Sequence, residues 1–327
     1  MDLVFFLAAL FGILVAAELF TNAVEDLGDK LGLSHGVVGS ILAAVGTALP
    51  ETLVPIVALL AGSAEVRNEI ANGAILGAPF MLATLGFTII GVAALLKRDG
   101  EISTNHFLIK RDLTFFLIMF TPPFILAFVP DWHTVKVAVG ILLLLGYTYY
   151  IYHVIKEGGE EVEADKGLYM NTYLKLPDRL AVSVLQLILS LIILLIAVEV
   201  FVHAVAHLSK LVGISPLVFS LLVAPIATEL PEKFNSFFWS LRGQYELAFG
   251  NITGAMVFQS AIPVSLGLIF TDWRVGVAGE LSAFIAILGG LLVLLQILLF
   301  KKIKAVALLL NGALYLLYVA LVLTILR

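Results

Sequence analysis

Predominantly apolar stretches of about twenty residues recur along the chain with short polar intervals between them. They lie near residues 3–24, 36–62, 70–96, 112–129, 135–154, 180–207, 215–241, 246–271, 276–299 and 303–326. A stretch of that length, wound as an α-helix, matches the thickness of one bilayer hydrocarbon core. The pattern therefore predicts an all-α polytopic membrane protein of ten transmembrane helices. The longest polar interval, residues 155–179, contains Gly158-Gly159-Glu160-Glu161-Val162-Glu163-Ala164-Asp165-Lys166 and leaves five spans on each side. The expected organisation is a five-helix unit over 1–154, a linker over 155–179 and a second five-helix unit over 180–327.

The two units are related. An offset of 181 residues aligns 18–51 with 199–232 without a gap, and 13 of those 34 positions are identical. Among them are Glu18/Glu199, Phe20/Phe201, Gly32/Gly213, Ser34/Ser215, Thr47/Thr228, Pro50/Pro231 and Glu51/Glu232. Shared apolarity alone does not bring scarce glutamates and prolines into register. A four-residue insertion then sets Glu69-Ile70-Ala71-Asn72-Gly73-Ala74-Ile75-Leu76-Gly77-Ala78 opposite Glu246-Leu247-Ala248-Phe249-Gly250-Asn251-Ile252-Thr253-Gly254-Ala255. Because each unit has an odd number of spans, the second enters the membrane from the opposite side. The expectation is a pair of inverted repeats, with a binding site near the midplane where they meet.

Composition agrees with a membrane chain: 61% of the residues are hydrophobic, 13% are charged, and mean hydropathy is +1.08. The net charge of −5 matters less than where the charges fall. Loops on the side opposite the N-terminus carry 13 Lys and Arg residues against 5 on the other, which predicts external termini and a cytoplasmic linker in a multi-pass cell-membrane protein. Met1-Asp2 leads straight into apolar sequence without a basic region or a cleavage site, so the first span is expected to be retained. No dense basic patch points to nucleic acid. The absence of cysteine removes disulfides, thiolate metal sites and cysteine nucleophiles. With no H-E-x-x-H and no Ser/His arrangement at a recognisable spacing, an enzyme is not expected, and no cofactor is implied.

Two intramembrane motifs carry the chemistry, Gly46-Thr47-Ala48-Leu49-Pro50-Glu51 and Ala227-Thr228-Glu229-Leu230-Pro231-Glu232. A carboxylate inside a membrane span costs several kcal/mol unless it is paired, so Glu51 and Glu232 call for a cation. Thr47 and Thr228 precede them by four residues, which in a continuous helix stacks each hydroxyl beside its carboxylate. Pro50 and Pro231 remove a backbone donor and free carbonyls. Facing one another across the repeat axis, the two glutamates with hydroxyls and carbonyls make a hard oxygen site that suits Ca²⁺.

Glu229 and Lys233 stand opposite Ala48 and Thr52. An i, i+4 Glu–Lys pair that neutralises itself is the favoured reading. The other is that Lys233 takes a cation position or tunes Glu232. Asn251, Gln259 and Ser260, with Asn72, Thr84 and Thr253, are candidates to complete a coordination shell, though single polar residues in membrane helices more often bond between helices. Glu18 and Glu199, nearer their span ends, divide evenly between function and a structural role. Small residues at Gly73, Gly77, Gly250 and Gly254 are explained by close helix packing alone. His203 and His207 form an i, i+4 pair near a span end and read as interfacial.

These motifs, with Gly73-Ala74-Ile75-Leu76-Gly77 and Gly250-Asn251-Ile252-Thr253-Gly254 downstream, resemble the calcium/cation antiporter superfamily, and within it most closely the prokaryotic sodium/calcium exchangers. The resemblance covers two alpha-repeats, about 36–96 and 215–271. It implies that Glu51 and Glu232 contribute to a central Ca²⁺ site, that Thr47 and Thr228 supply hydroxyl or carbonyl ligands, and that the spans bearing Glu18 and Glu199 slide across the rest. The implied function is antiport of Ca²⁺ against Na⁺, with H⁺ coupling or altered cation selectivity as the alternative and a channel less favoured. The chain departs from the family pattern at Ala48 and Glu229, where serine is usual, and at Pro79 and Met256, where polar ligands are usual. Those departures imply fewer Na⁺ ions or the use of protons.

Overall fold

The computed structural model describes residues 2–31, 49–61, 66–129, 131–157 and 167–324. The helices among them are α1 (Asp2–Lys30), α2 (Leu49–Ala61), α3 (Arg67–Leu96), α4 (His106–Ala127), α5 (His133–Glu157) and α6 (Tyr169–Leu174). They continue as α7 (Leu180–Val212), α8 (Pro216–Thr228), α9 (Leu230–Arg242), α10 (Tyr245–Phe270), α11 (Gly276–Phe300) and α12 (Ala305–Thr324). Strands β1 (Glu101–Ile102) and β2 (Ile303–Lys304) pair antiparallel, Glu101 with Lys304 and Ile102 with Ile303.

Seven of the described helices, α1, α3, α5, α7, α10, α11 and α12, are long and apolar enough to cross a membrane. The chain is an all-helical, multi-pass membrane protein. Its outer surface is apolar: on α7, Ile188, Ile192 and Ile196 recur every four residues and are exposed, while Leu194, Val198, Phe201 and Val205 are buried. That surface is what a helix bundle in a hydrocarbon solvent requires, since lipid replaces water outside while every backbone polar group is satisfied within.

Several boundaries differ from those read off the hydropathy pattern, each for a local reason. The fourth span starts at His106 rather than near 112, because Asn105 caps it by accepting from Phe107 N at 3.1 Å. The last helix starts at Ala305, because Ile303–Lys304 is held in β2 and Ala305 N donates to Gly100 O at 3.1 Å. The span expected over 215–241 is two helices, α8 and α9, meeting at Glu229 (φ −98°, ψ 1°). Pro231 lacks the N–H that a continuous helix needs, and it occupies the first turn of α9, where that loss costs nothing. Of the span expected over 36–62, the part before residue 49 lies outside the described residues.

Helices α1 and α7 pack lengthwise and antiparallel. Lys30 near the end of α1 reaches Ser183 near the start of α7 (3.0 Å), while a methyl group at Gly12 would lie 3.1 Å from Ala197 further along. The linker contains α6, whose first backbone N–H groups are satisfied by side chains of that pair: Tyr169 N donates to Asn22 Oδ1 and Met170 N to Gln186 Oε1, both at 2.9 Å. The pair meets the rest of the bundle through Phe6, Ile13, Phe201 and Val205 against Val54, Ala58, Ile70 and Ala224. A larger apolar core is shared by α3, α4, α10, α11 and α12, with Phe80, Phe87, Phe116, Phe249 and Tyr318 fully buried.

Midway along, α3 widens into a single π-turn over Leu82–Gly86, shortly after Pro79. Asn311 of α12 makes this turn affordable by donating to Ala83 O (2.7 Å) and to Gly289 O of α11 (3.0 Å). The preceding stretch of α3 lies so close to α8 that methyl groups at Gly73 and Gly77 would strike the Leu217 and Leu221 carbonyl oxygens. The packing role expected of the glycines holds for Gly73 and Gly77 but not for their counterparts: a methyl at Gly250 would meet nothing within 4 Å, and at Gly254 only the Tyr150 hydroxyl at 3.9 Å.

Candidate cation site

The offset of 181 carries the described residues of α2, Leu49–Ala61, onto α9, Leu230–Arg242, so the two helices are counterparts and Glu51 matches Glu232. Glu232 stands in the first turn of α9, where free N–H groups and the positive end of the helix dipole favour a carboxylate. Glu229, at the break between α8 and α9, supplies a third. One carboxylate oxygen from each of Glu51, Glu229 and Glu232 lies within 4.8 Å of the other two.

All three are buried, at 5%, 0% and 3% exposure. Were all ionised with nothing between them, each pair would repel by about 3 kcal/mol at an effective dielectric of about 20. The unusual feature is what they lack. Glu51 Oε2, Glu229 Oε2 and Glu232 Oε2, and Gln259 Oε1 beside them, are buried without a hydrogen-bond partner. Buried polar atoms are normally satisfied, and three converging carboxylates that each keep an oxygen with no donor are satisfied by a hard cation or by protons.

Gln259 of α10 donates from Nε2 to Glu229 Oε1 at 2.6 Å, which holds that carboxylate in place. The expected Glu229–Lys233 ion pair is not among the contacts of the described residues. Lys233, 7% exposed, donates instead to the Pro225 carbonyl of α8 at 3.1 Å and lies 2.7 Å from Met81 Sδ of α3. The Pro225 carbonyl takes the ammonium as a second donor, alongside its ordinary helical partner, the Glu229 N–H at 3.1 Å.

The remaining sequence candidates divide. Thr228 closes α8 instead of stacking over Glu232 in one helix, and its hydroxyl donates back to Ala224 O at 3.4 Å. Thr47 lies outside the described residues. Asn251 donates to the Glu232 carbonyl and to Ser236 Oγ, both at 2.9 Å, so it fixes the backbone behind Glu232. Ser260 bonds within its own helix, to Val257 O at 2.8 Å, as does Thr84 to Phe80 O at 2.6 Å. Asn72 accepts from Thr271 at 3.1 Å, and Thr253 donates to the buried Asp112 at 2.7 Å. Glu18 and Glu199 are exposed on α1 and α7, away from the cluster, and Glu18 accepts from the Tyr169 hydroxyl at 2.5 Å.

Met81, the Pro225 carbonyl and Asn311 escape sequence reasoning. Pro79 marks only that α3 is irregular near Met81, and Pro225 marks the carbonyl four residues before it and not its own, so the sequence carries no direct signal for these three.

The profile of the family described as "Sodium/calcium exchanger protein" matches the chain twice, over residues 1–156 and 182–326. CaxA of Alkalimonas amylolytica is 26% identical over 268 residues, 81% of this chain and 80% of that one. Two solved structures share the fold. The H⁺/Ca²⁺ exchanger CAX has a TM-score of 0.77 at 21% identity, over 98% of this chain and 82% of that one. The sodium-calcium exchanger NCX_Mj has a TM-score of 0.61 at 20% identity, over 98% and 97%. These neighbours are transporters and not enzymes, and with two profile matches covering nearly its whole length the chain belongs to the sodium/calcium exchanger family.

Proposed function

We propose that this protein is a secondary antiporter that exchanges Ca²⁺ for Na⁺ at one site built from Glu51, Glu229 and Glu232. The observation that carries the reading is the convergence of three buried carboxylates, each with an unpartnered oxygen, from the equivalent helices α2 and α9 and the break before α9. Cargo and counter-ion compete for the same oxygens, and only a neutralised cluster crosses the low-dielectric occluded state cheaply. Competition is thus the coupling. Thr228 and, by its motif, Thr47 add neutral oxygens; a hydroxyl that donates to its own helix keeps its lone pairs for a cation.

The architecture that goes with this function is ten spans in two inverted five-helix repeats, over 1–154 and 180–327. The double profile match and the antiparallel α1–α7 pair support it. The cytoplasmic linker and external termini rest on the loop-charge bias.

A proton-coupled Ca²⁺/H⁺ exchanger is the second reading, favoured by one observation. Asn251 is turned to Ser236, and Pro79 and Met256 offer no oxygen side chain, so the cluster is almost all carboxylate. A proton needs nothing more, whereas Na⁺ prefers several neutral oxygens.

The deciding experiment is ⁴⁵Ca²⁺ uptake into proteoliposomes under an outward Na⁺ gradient and, separately, an outward H⁺ gradient, for the native chain and Glu51→Gln. Uptake driven by one gradient and abolished by the substitution identifies the counter-ion and the site. No uptake under either gradient would overturn the calcium assignment.

A further inference from the structure

Glu229 and Lys233 occur together in the second motif, where the first has Ala48 and Thr52. The second motif has therefore gained one negative and one positive charge at once. The structure puts both inside the cluster. Lys233 follows Glu232 in α9, and the charged groups that act on it are Glu229, Glu232 and Glu51. Its ammonium is not spent on any of their oxygens: the Pro225 carbonyl at 3.1 Å and Met81 Sδ at 2.7 Å hold it against the wall formed by α8 and α3. Among the described residues, the groups that hydrogen-bond to Glu229 and Lys233 from neighbouring helices, Gln259, Met81 and the Pro225 carbonyl, are neutral. An ammonium fixed in this way lowers the net charge of the site while leaving Glu51 Oε2, Glu229 Oε2 and Glu232 Oε2 without a partner.

We propose that Lys233 is a tethered resident cation that cancels one of the three carboxylates, so that the site takes up two positive charges per half-cycle and exchange is electroneutral. One divalent ion, or two monovalent ions in its place, balances the remaining charge. This rests on the antiport reading above and adds its stoichiometry. Without the ammonium, three carboxylates would call for three monovalent ions against one divalent, and each cycle would move one net charge.

The test is equilibrium ⁴⁵Ca²⁺ accumulation in proteoliposomes driven by whichever gradient supports exchange, with the membrane potential clamped by K⁺ and valinomycin. For the native chain the expected accumulation is independent of potential and follows the square of the monovalent gradient. For Lys233→Met it becomes potential-dependent, by about fifty-fold over roughly 100 mV for one net charge. The double substitution Glu229→Ala with Lys233→Thr, which restores the residues of the first motif, returns to potential independence. Potential-dependent accumulation by the native chain, or potential-independent accumulation by an active Lys233→Met, overturns the proposal while leaving the antiporter standing. If Lys233→Met does not fold, the native chain and the double substitution decide. Failure of the native chain to accumulate Ca²⁺ under either gradient overturns the antiport reading, and the stoichiometry with it.

Discussion

Gly77→Ala tests whether the contact between α3 and α8 sets the geometry of the cation site. The added methyl would strike the Leu221 carbonyl oxygen and come within 2.7 Å of Pro225 Cγ. Carbon atoms in van der Waals contact sit about 3.5–4.0 Å apart, so α8 must retreat by about 1 Å or tilt. Overpacking of this kind costs about 1–3 kcal/mol, roughly a 5- to 150-fold fall in the folded-to-unfolded ratio. The retreat does not stop at the helix surface, because the Pro225 carbonyl accepts both the Glu229 N–H and the Lys233 ammonium at 3.1 Å. The expected result in detergent is an apparent melting midpoint lowered by roughly 2–10 °C. In proteoliposomes, Ca²⁺ exchange should fall several-fold further than the loss of folded protein explains. Gly100→Ala is the control, since nothing lies within 4 Å of the added methyl there. A Gly77→Ala chain that melts with the native one and exchanges at full rate would refute the coupling between helix packing and site.

Other consequences can be measured alongside it. Gln259→Met removes the donor to Glu229 Oε1 and keeps the side-chain length, so the Ca²⁺ concentration for half-maximal uptake should rise about tenfold, in line with a charge-assisted hydrogen bond of about 1.5–3 kcal/mol; an unchanged value would remove Gln259 from the site. Asn311→Leu removes the donor to the Ala83 carbonyl in the π-turn, along with a second hydrogen bond to Gly289 O, and should cost about 1–3 kcal/mol. A melt indistinguishable from native would mean that the π-turn needs no such support. In the loop after α3, Asp99 is held below the ordinary carboxyl value of 3.8 by the Tyr245 hydroxyl, 2.7 Å away at the start of α10, and by Lys97. A depressed carboxyl stabilises the fold above its unfolded value and loses that contribution as pH falls through the folded one. The stability difference between native and Tyr245→Phe should therefore persist at neutral pH and fade below about pH 4. A difference constant down to pH 2 would rule this linkage out.

Much of the fold could be read directly from residue order. Apolar runs of bilayer length follow from one residue's hydropathy after another, and the positions of Glu51 and Glu232 follow from a repeat visible without any structure. The prolines already marked where a helix would be interrupted, although reading Thr228 and Glu232 onto one continuous face missed that Pro231 starts a new helix. The Glu229–Lys233 pair was misread for a related reason: i, i+4 spacing predicts an ion pair only where the helix runs unbroken through both residues, and here it begins between them.

The sequence by itself determined the solvent this chain folds in, its helical class and the presence of carboxylates inside its apolar spans, because burial cost and helical periodicity are properties of neighbouring residues. Only the tertiary structure decided that three carboxylates converge, that their free oxygens stay unpartnered, and that Lys233 turns away to a carbonyl and a thioether. Those outcomes depend on α2, α3, α8, α9 and α10 meeting from positions up to some two hundred residues apart, and no local pattern encodes which backbone group will be left open at such a meeting.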